Sequence, residues 1–350
     1  MSERLAPEQA DSLPDVPEPA ENPYLFGHAE HAAQIAAAYR TGKLHHALLL
    51  TGPKGIGKAT FAFHLAHHLL SHPRSEDAPE TFGRPDPASA VARQVASGAH
   101  PAVLHLTRPY DDKTKKFKSA ITVDEVRRVG RFLSLRAHDD AYRVVIVDPA
   151  DEMNRNAANA LLKSLEEPPA RAIFLLISHS PGPLLPTIRS RCQVMRFSPL
   201  SEAEIGAVLG SFGSGLPDAP DARRALIDRA GGSARQAILL AEHGGFDITQ
   251  AADQFIAKAR RDPLEAYKLA DAVTGRDQTV TFDILNEHLL DRIAQAAAEA
   301  ATRGEGSRAA RIADLWDEAN ATIRDTDTYN LDKRQHVVGL LNRIGEALAR

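Results

Sequence analysis

The chain has 350 residues, 43% hydrophobic and 25% charged, with 42 lysines and arginines against 46 aspartates and glutamates for a net charge of −4. That length exceeds one ordinary core and predicts two or three domains, while the charge balance excludes global attraction to a nucleic-acid backbone and leaves only local patches for such contact. No apolar run reaches the ~20 residues of a membrane helix, the start lacks the basic and apolar stretches of an export signal, and the single cysteine, Cys192, excludes an intrachain disulfide and a cysteine-built zinc site; a cytoplasmic protein with no membrane partner is expected.

Residues 1–22 carry Glu3, Glu8, Asp11, Asp15, Glu18 and Glu21 with four prolines. That composition predicts a disordered tail, because it offers little apolar surface to offset ordering. Short runs rich in Val, Ile, Leu and Phe then alternate with helical patterns. Strands are predicted at Ala47–Thr51, Val103–Thr107, Arg143–Val147, Ile173–Ser178 and Gln193–Phe197. The alternation implies a mostly parallel sheet with helices on both faces over 23–199. After Pro199 the strand signal stops. Residues 200–244 and 245–350 are expected as a small helical domain and a second, all-helical one. Helical spacing relates Phe282, Leu285, Leu289 and Ile293, then Ile312, Leu315, Trp316, Ala319 and Ile323, then Val337, Leu341, Ile344 and Leu348. Such stripes suit a bundle core, with some remainder free to face partner chains.

The chemistry-bearing segment is Gly52-Pro53-Lys54-Gly55-Ile56-Gly57-Lys58, which follows the first strand and precedes a helical run, Ala59–Leu70. In that context Gly52, Gly55 and Gly57 let backbone N–H groups curl around phosphates, Lys58 adds a point charge, and the helix start adds a partial positive charge. The next position is Ala59, where a phosphate loop needs a Ser or Thr hydroxyl for magnesium; Thr60 points about 100° away. Asp148 ends the strand Val144–Val147 and supplies the acidic half of a nucleotide site. Pro149 follows it, where hydrolysing proteins place a Glu that orients water, and Asp151 and Glu152 are displaced from that place. Binding of ATP or ADP without hydrolysis is what this combination leaves.

From Asn22 to Arg196 the chain resembles the AAA+ module of bacterial clamp-loader subunits. The run Asn159-Ala160-Leu161-Leu162-Lys163-Ser164-Leu165-Glu166-Glu167-Pro168-Pro169 is close to a signature of that group, and Ser190-Arg191-Cys192 stands where the group carries its Ser-Arg-Cys motif. The resemblance implies an α/β P-loop module with a parallel five-stranded sheet, then a small helical lid and an all-helical collar. It implies that Arg191 reaches an ATP held by a neighbouring subunit; without the flanking motif, the same arginine reads as a surface salt bridge. It further implies that Arg235, in Gly232-Ser233-Ala234-Arg235, is a second-sensor arginine, the alternative being an exposed helix charge, and that Ser178 stands at the first-sensor position, the alternative being an ordinary satisfied polar group. The partners it implies are the other loader subunits, delta and gamma or tau, the sliding clamp indirectly, and primer-template DNA. The pattern matches a subunit whose own site has decayed, with an ATP-hydrolysing motor subunit of the same machine as the alternative and a small-molecule kinase behind it.

Many modules of the group carry a four-cysteine zinc site after the first helix. This chain has the Pro-rich stretch Ser71–Pro87 instead, so no zinc is expected. His64, His67, His68 and His72 share roughly one helix face, where solvated histidines are the plainer reading than a metal site. Arg108, Lys113, Lys115, Lys116 and Lys118 form a basic loop, read as solvated. Arg127, Arg128 and Arg131 on the next helix are candidate DNA contacts, because the matching helix of related loaders lines the DNA.

Overall fold

Helix α1 (Ala29–Arg40) leads into strand β1 (Ala47–Thr51), which is followed by α2 (Lys58–Ser71) and α3 (Ala90–Ala96). Next come β2 (Val103–Leu106), a two-stranded hairpin of β3 (Tyr110–Asp111) and β4 (Lys116–Phe117), and α4 (Val123–Ser134). Strand β5 (Arg143–Val147), helix α5 (Arg155–Glu166), strand β6 (Ala172–Ser178), the one-turn α6 (Pro186–Arg189) and β7 (Gln193–Arg196) complete the sheet. This computed structural model describes every residue except 1–3, 135–141, 181, 183, 214, 259, 276, 277 and 350.

The five strands pair in the order β2-β5-β6-β1-β7, and every pairing is parallel. Every residue of β1 and β6 is buried, as expected of strands covered on both faces. Successive strand residues feed opposite cores. Leu48, Leu50, Val144, Ile146, Ile173 and Leu175 enter one with α1 and α2, while Ala47, Leu49, Val145, Val147, Phe174 and Leu176 enter the other with α4 and α5. The expected α/β module with a five-stranded parallel sheet is therefore present, each strand falling within a residue or so of its predicted place. The basic stretch 108–118, expected as a loop, is the β3–β4 hairpin instead.

Two compact units divide the chain, Met1–Arg235 and Gln236–Arg350. The expected divisions at 199 and 244 do not coincide with this one. Helices α7 (Glu202–Ser211) and α8 (Pro220–Ala230) fall in the first unit, and α9 (Ala234–Glu242) begins there. The reason is local: Ser233 and Arg235 hydrogen-bond to the Gly52–Lys58 loop. The N-terminal segment departs from its expectation as well. Across residues 4–22, Ala6 and Leu13 are buried, and the Arg4 guanidinium donates to the carbonyls of Leu13 and Val16 at 2.6 and 2.8 Å. The Glu21 carboxylate accepts from the amides of Leu5 and Ala6. Composition hid this, because here the acids solvate backbone groups and do not merely repel one another.

The second unit continues with α10 (Gly245–Ala257), α11 (Pro263–Val273), α12 (Thr279–Thr302), α13 (Gly306–Thr328) and α14 (Lys333–Ala349). The three predicted stripes meet in its own core: Phe282, Leu285, Leu289, Ile293, Ile312, Leu315, Ala319, Val337, Leu341 and Ile344 are buried together, with Trp316, Ile323 and Leu348 partly buried against them. No described helix is long and apolar enough to cross a membrane. Leu285 is fully buried, whereas Leu264 on α11 is 57% exposed. Leu285→Ala should cost about 2–5 kcal/mol through lost burial and the cavity left behind, while Leu264→Ala should stay within about 0.5 kcal/mol, both read by denaturant unfolding.

Candidate phosphate-binding site

Parallel pairing places Thr51, the last residue of β1, beside Ser178, the last of β6, and Val147 beside Leu176, so Asp148 follows one residue beyond. The carboxyl ends of three adjacent strands thus converge, at the edge where open α/β sheets take their ligands. The loop leaving β1 depends on glycine. Gly52 lies against the carbonyl of Phe197 with φ of 148°, and Gly57 caps α2 in the left-handed region at 93°. At Gly55 a Cβ would collide with Ser233 and Arg235. Two hydrogen bonds fix that approach, Ser233 Oγ to the Lys54 carbonyl at 2.9 Å and the Arg235 amide to the Gly55 carbonyl at 3.2 Å. Arg235, foreseen as a sensor, is therefore brought to the loop.

Lys58 is 3% exposed and turns its ammonium back onto the loop, donating to the carbonyls of Gly52 and Pro53. Burial pushes it down to about 8, with Asp148 and Asp151 opposing. Asp148 keeps some surface but is closely walled in. Burial, and then the charge of Asp11, push its carboxyl up to about 8 against the pull of Lys58. The next two carboxylates along the chain are engaged by other groups. Asp151 accepts the amides of His179 and Ser180 at 3.1–3.2 Å, and Glu152 pairs with Arg108 at 3.0 Å. Ser178 is fully buried, and its Oγ has no hydrogen-bond partner among the described residues; the same holds for Arg235 Nε and His179 Nδ1. These orphaned atoms, with the glycine cradle, fit a group that brings its own acceptors and donors. Burial, Lys58 and Lys54 push the His179 imidazole down to about 3, so it is neutral.

Sequence reasoning passed over His179, although it directly follows Ser178, and gave Lys54 no role beyond membership of the loop. Asp11 carries no local signal either, because the composition of its segment predicts disorder. The remaining candidates lie apart from the loop. Arg191 donates to the Thr187 carbonyl at 2.9 Å and pairs with Glu166 at 2.7 Å, its side chain 35% exposed. Its neighbour Cys192 packs against the core, where burial pushes the thiol up to about 11. Arg127 and Arg128 pair with Asp124 and Glu125 one turn earlier on α4, which offsets much of the basic character expected there; Arg131 is exposed. Of the histidines on α2, His64 bonds the Asn22 carbonyl and His68 is buried against Tyr39 and Phe82. No cluster of three or more potential metal ligands occurs among the described residues.

A family model described as DNA polymerase III, delta subunit matches residues 27–201, half of the chain. The subunit delta' of Pseudomonas aeruginosa DNA polymerase III is 35% identical over 265 residues, covering 74% of this chain and 71% of that protein. The chain belongs to the delta-prime family of DNA polymerase III subunits. The Bacillus subtilis subunit delta' is 37% identical over 163 residues, 47% of this chain and 45% of that protein, so there the alignment spans less than half of the relative. Among solved structures, a gamma subunit-related protein of Thermotoga maritima matches at 17% identity with a TM-score of 0.40, covering 91% of this chain and 99% of that one. The family span contains Gly52, Lys58, Asp148, Ser178 and Arg191 and excludes Asp11 and Arg235.

The raised Asp148 has a consequence for stability. A carboxyl whose folded value, about 8, lies above its ordinary 3.8 contributes stability that is fully present below the ordinary value and is lost as pH rises through the folded one. The Asp148 contribution should therefore decline between about pH 4 and pH 8, while neutral, buried His179 works the other way as pH rises towards about 6.5, so it is the stability difference between wild type and Asp148→Asn that should fall across this range. Denaturant unfolding of both proteins across this range checks it; a constant difference would place the titrating group elsewhere.

Proposed function

We propose that this chain is an assembly subunit of the bacterial DNA polymerase III clamp loader. In this role it helps set the sliding clamp on primed DNA, its own ATPase chemistry has decayed, and Arg191 serves the nucleotide of a neighbouring subunit. The observation that carries the reading is the setting of Arg191. Its guanidinium is partly exposed and tethered by Thr187 and Glu166, and it makes no hydrogen bond to the Gly52–Lys58 loop among the described residues. An exposed ion pair is worth about 0–1 kcal/mol, so exchanging Glu166 for a phosphate costs little.

The loss of hydrolysis is supported from the other side of the sheet. Ala59 offers no hydroxyl for magnesium, Pro149 no base, and Asp151 and Glu152 are committed to amides and to Arg108. Gly52, Gly55, Gly57, Lys58, Asp148, Ser178 and Arg235 would hold ATP or ADP, whose phosphates would supply the acceptor that Arg235 Nε lacks. The proposed partners are delta and gamma or tau, with the second unit as collar, the clamp indirectly, and primer-template DNA. For DNA, Arg131 is better placed than Arg127 or Arg128, which already have acidic partners.

Purified alone, the chain should hydrolyse ATP no faster than its Lys58→Ala variant; Lys58-dependent turnover in a phosphate-release assay would restore the motor reading. In a reconstituted loader, Arg191→Ala should leave assembly intact and lower DNA-stimulated hydrolysis by less than the about 10³–10⁵-fold of a sole trans arginine, since it serves one site of several. Arg191→Lys should recover little, because an ammonium lacks the planar fork. Full ATPase and clamp-loading rates with the alanine variant would return Arg191 to a surface charge.

A further inference from the structure

Residues 4–22 lie outside the family span, yet they reach the phosphate loop. The Arg235 guanidinium donates to the carbonyl of Asp11, while the Arg235 amide donates to Gly55, so Asp11 is tied to the loop through a single residue. We propose that this segment is a reversible cover for the site, with the Asp11 carboxylate occupying the place of an anionic phosphoryl group, so that a nucleoside diphosphate or triphosphate must displace it to bind. The inference rests on reading Gly52–Lys58 as a phosphate loop.

Charge complementarity supports the choice of occupant. Burial works against the Asp11 charge, but the cations Lys54, then Arg235 and Arg108, outweigh it and hold the carboxyl below its ordinary value. Those groups line the loop and the sheet edge. Asp11 in turn is felt by Asp148, whose value it raises. Although closely surrounded, Asp11 is exposed by surface area. Protein thus walls an acid that still faces solvent, and such a contact can open without unfolding the unit.

The segment is built to hold that position. Leu13, two residues on, is 6% exposed, and Ala6 is 7% exposed. Arg4 bridges the carbonyls of Leu13 and Val16 and pairs with Glu18 at 3.4 Å, and Ser12 also bonds Glu18. At its exit, His64 of α2 bonds the Asn22 carbonyl at 3.0 Å. Closure therefore has its own anchors, separate from the charged contact, which allows the two to be tested apart.

Two full-length variants probe it. Asp11→Asn removes the charge, and Leu13→Asp removes the buried anchor. Titration calorimetry with ADP and with inorganic pyrophosphate should find tighter binding to both variants, by about tenfold for Leu13→Asp if the cover is closed nine-tenths of the time. The gain should vanish when Lys58→Ala is added. In the wild-type chain, ADP should speed hydrogen exchange at the Leu5 and Ala6 amides, which Glu21 otherwise holds. Equal, Lys58-dependent affinity in wild type and variants, or ADP binding with no change in that exchange, would overturn the cover while leaving the phosphate loop standing. If no variant binds ADP or pyrophosphate, the phosphate-loop reading fails and the cover with it.

Discussion

A buried ammonium governs the carboxyl edge of the sheet. Lys58 starts α2 almost wholly out of solvent, and no acidic side chain lies within ion-pair distance of it among the described residues. A charge so placed must be solvated by whatever is near, because an unpaired buried charge is among the most expensive features a fold can carry. The loop answers with its own carbonyls, those of Gly52 and Pro53. Its curl is thus set by two demands at once: the glycines permit the backbone path, and the ammonium draws the carbonyls inward.

That arrangement leaves the site short of negative charge. Asp148 is pushed up to about 8 and so carries a proton near neutrality, which makes it a poor partner for Lys58 and a poor ligand for magnesium. Asp151 closes the end of β6 by accepting two amides, and Glu152 serves Arg108. With Lys54, Lys58, Arg108 and Arg235 around it, the edge favours an anion from outside the sheet. The nucleotide proposed for the site and the Asp11 carboxylate answer the same electrostatic demand, and one region cannot satisfy it with both.

Most of the sheet was legible in the sequence, because buried parallel strands read as continuous apolar runs and β1, β5 and β6 are of that kind. The loop was legible because glycines at Gly52, Gly55 and Gly57 are demanded by backbone geometry. What escaped was long-range charge pairing. That Asp124 and Glu125 would take up Arg127 and Arg128 was open to spacing alone, as i,i+3 pairs on one helix. No local pattern could have said that Asp11 meets Arg235, 224 positions away. The acidic, proline-rich composition of residues 4–22 pointed to disorder because it counts charges as repulsive, whereas Glu21 and Glu18 spend theirs on backbone amides, a hydroxyl and Arg4.

Arg191 and Arg235 are one residue type in two different settings, which suit the two different tasks proposed for them. Arg235 is built into its surroundings by its amide, its guanidinium and the packing of Gly55, which keep it beside the Gly52–Lys58 loop of its own chain. Arg191 is held at the surface by tethers to the Thr187 carbonyl of the short helix just before it, to Ser190 Oγ and to the Glu166 carboxylate at the end of α5. Those tethers restrict where the guanidinium points without burying it, which lowers the entropy lost when it meets a ligand. Glu166 belongs to the run that first suggested the family. In the proposed role, its service to Arg191 is to hold the fork ready and then to release it, and a weak exposed pair suits both parts of that service better than a buried one would.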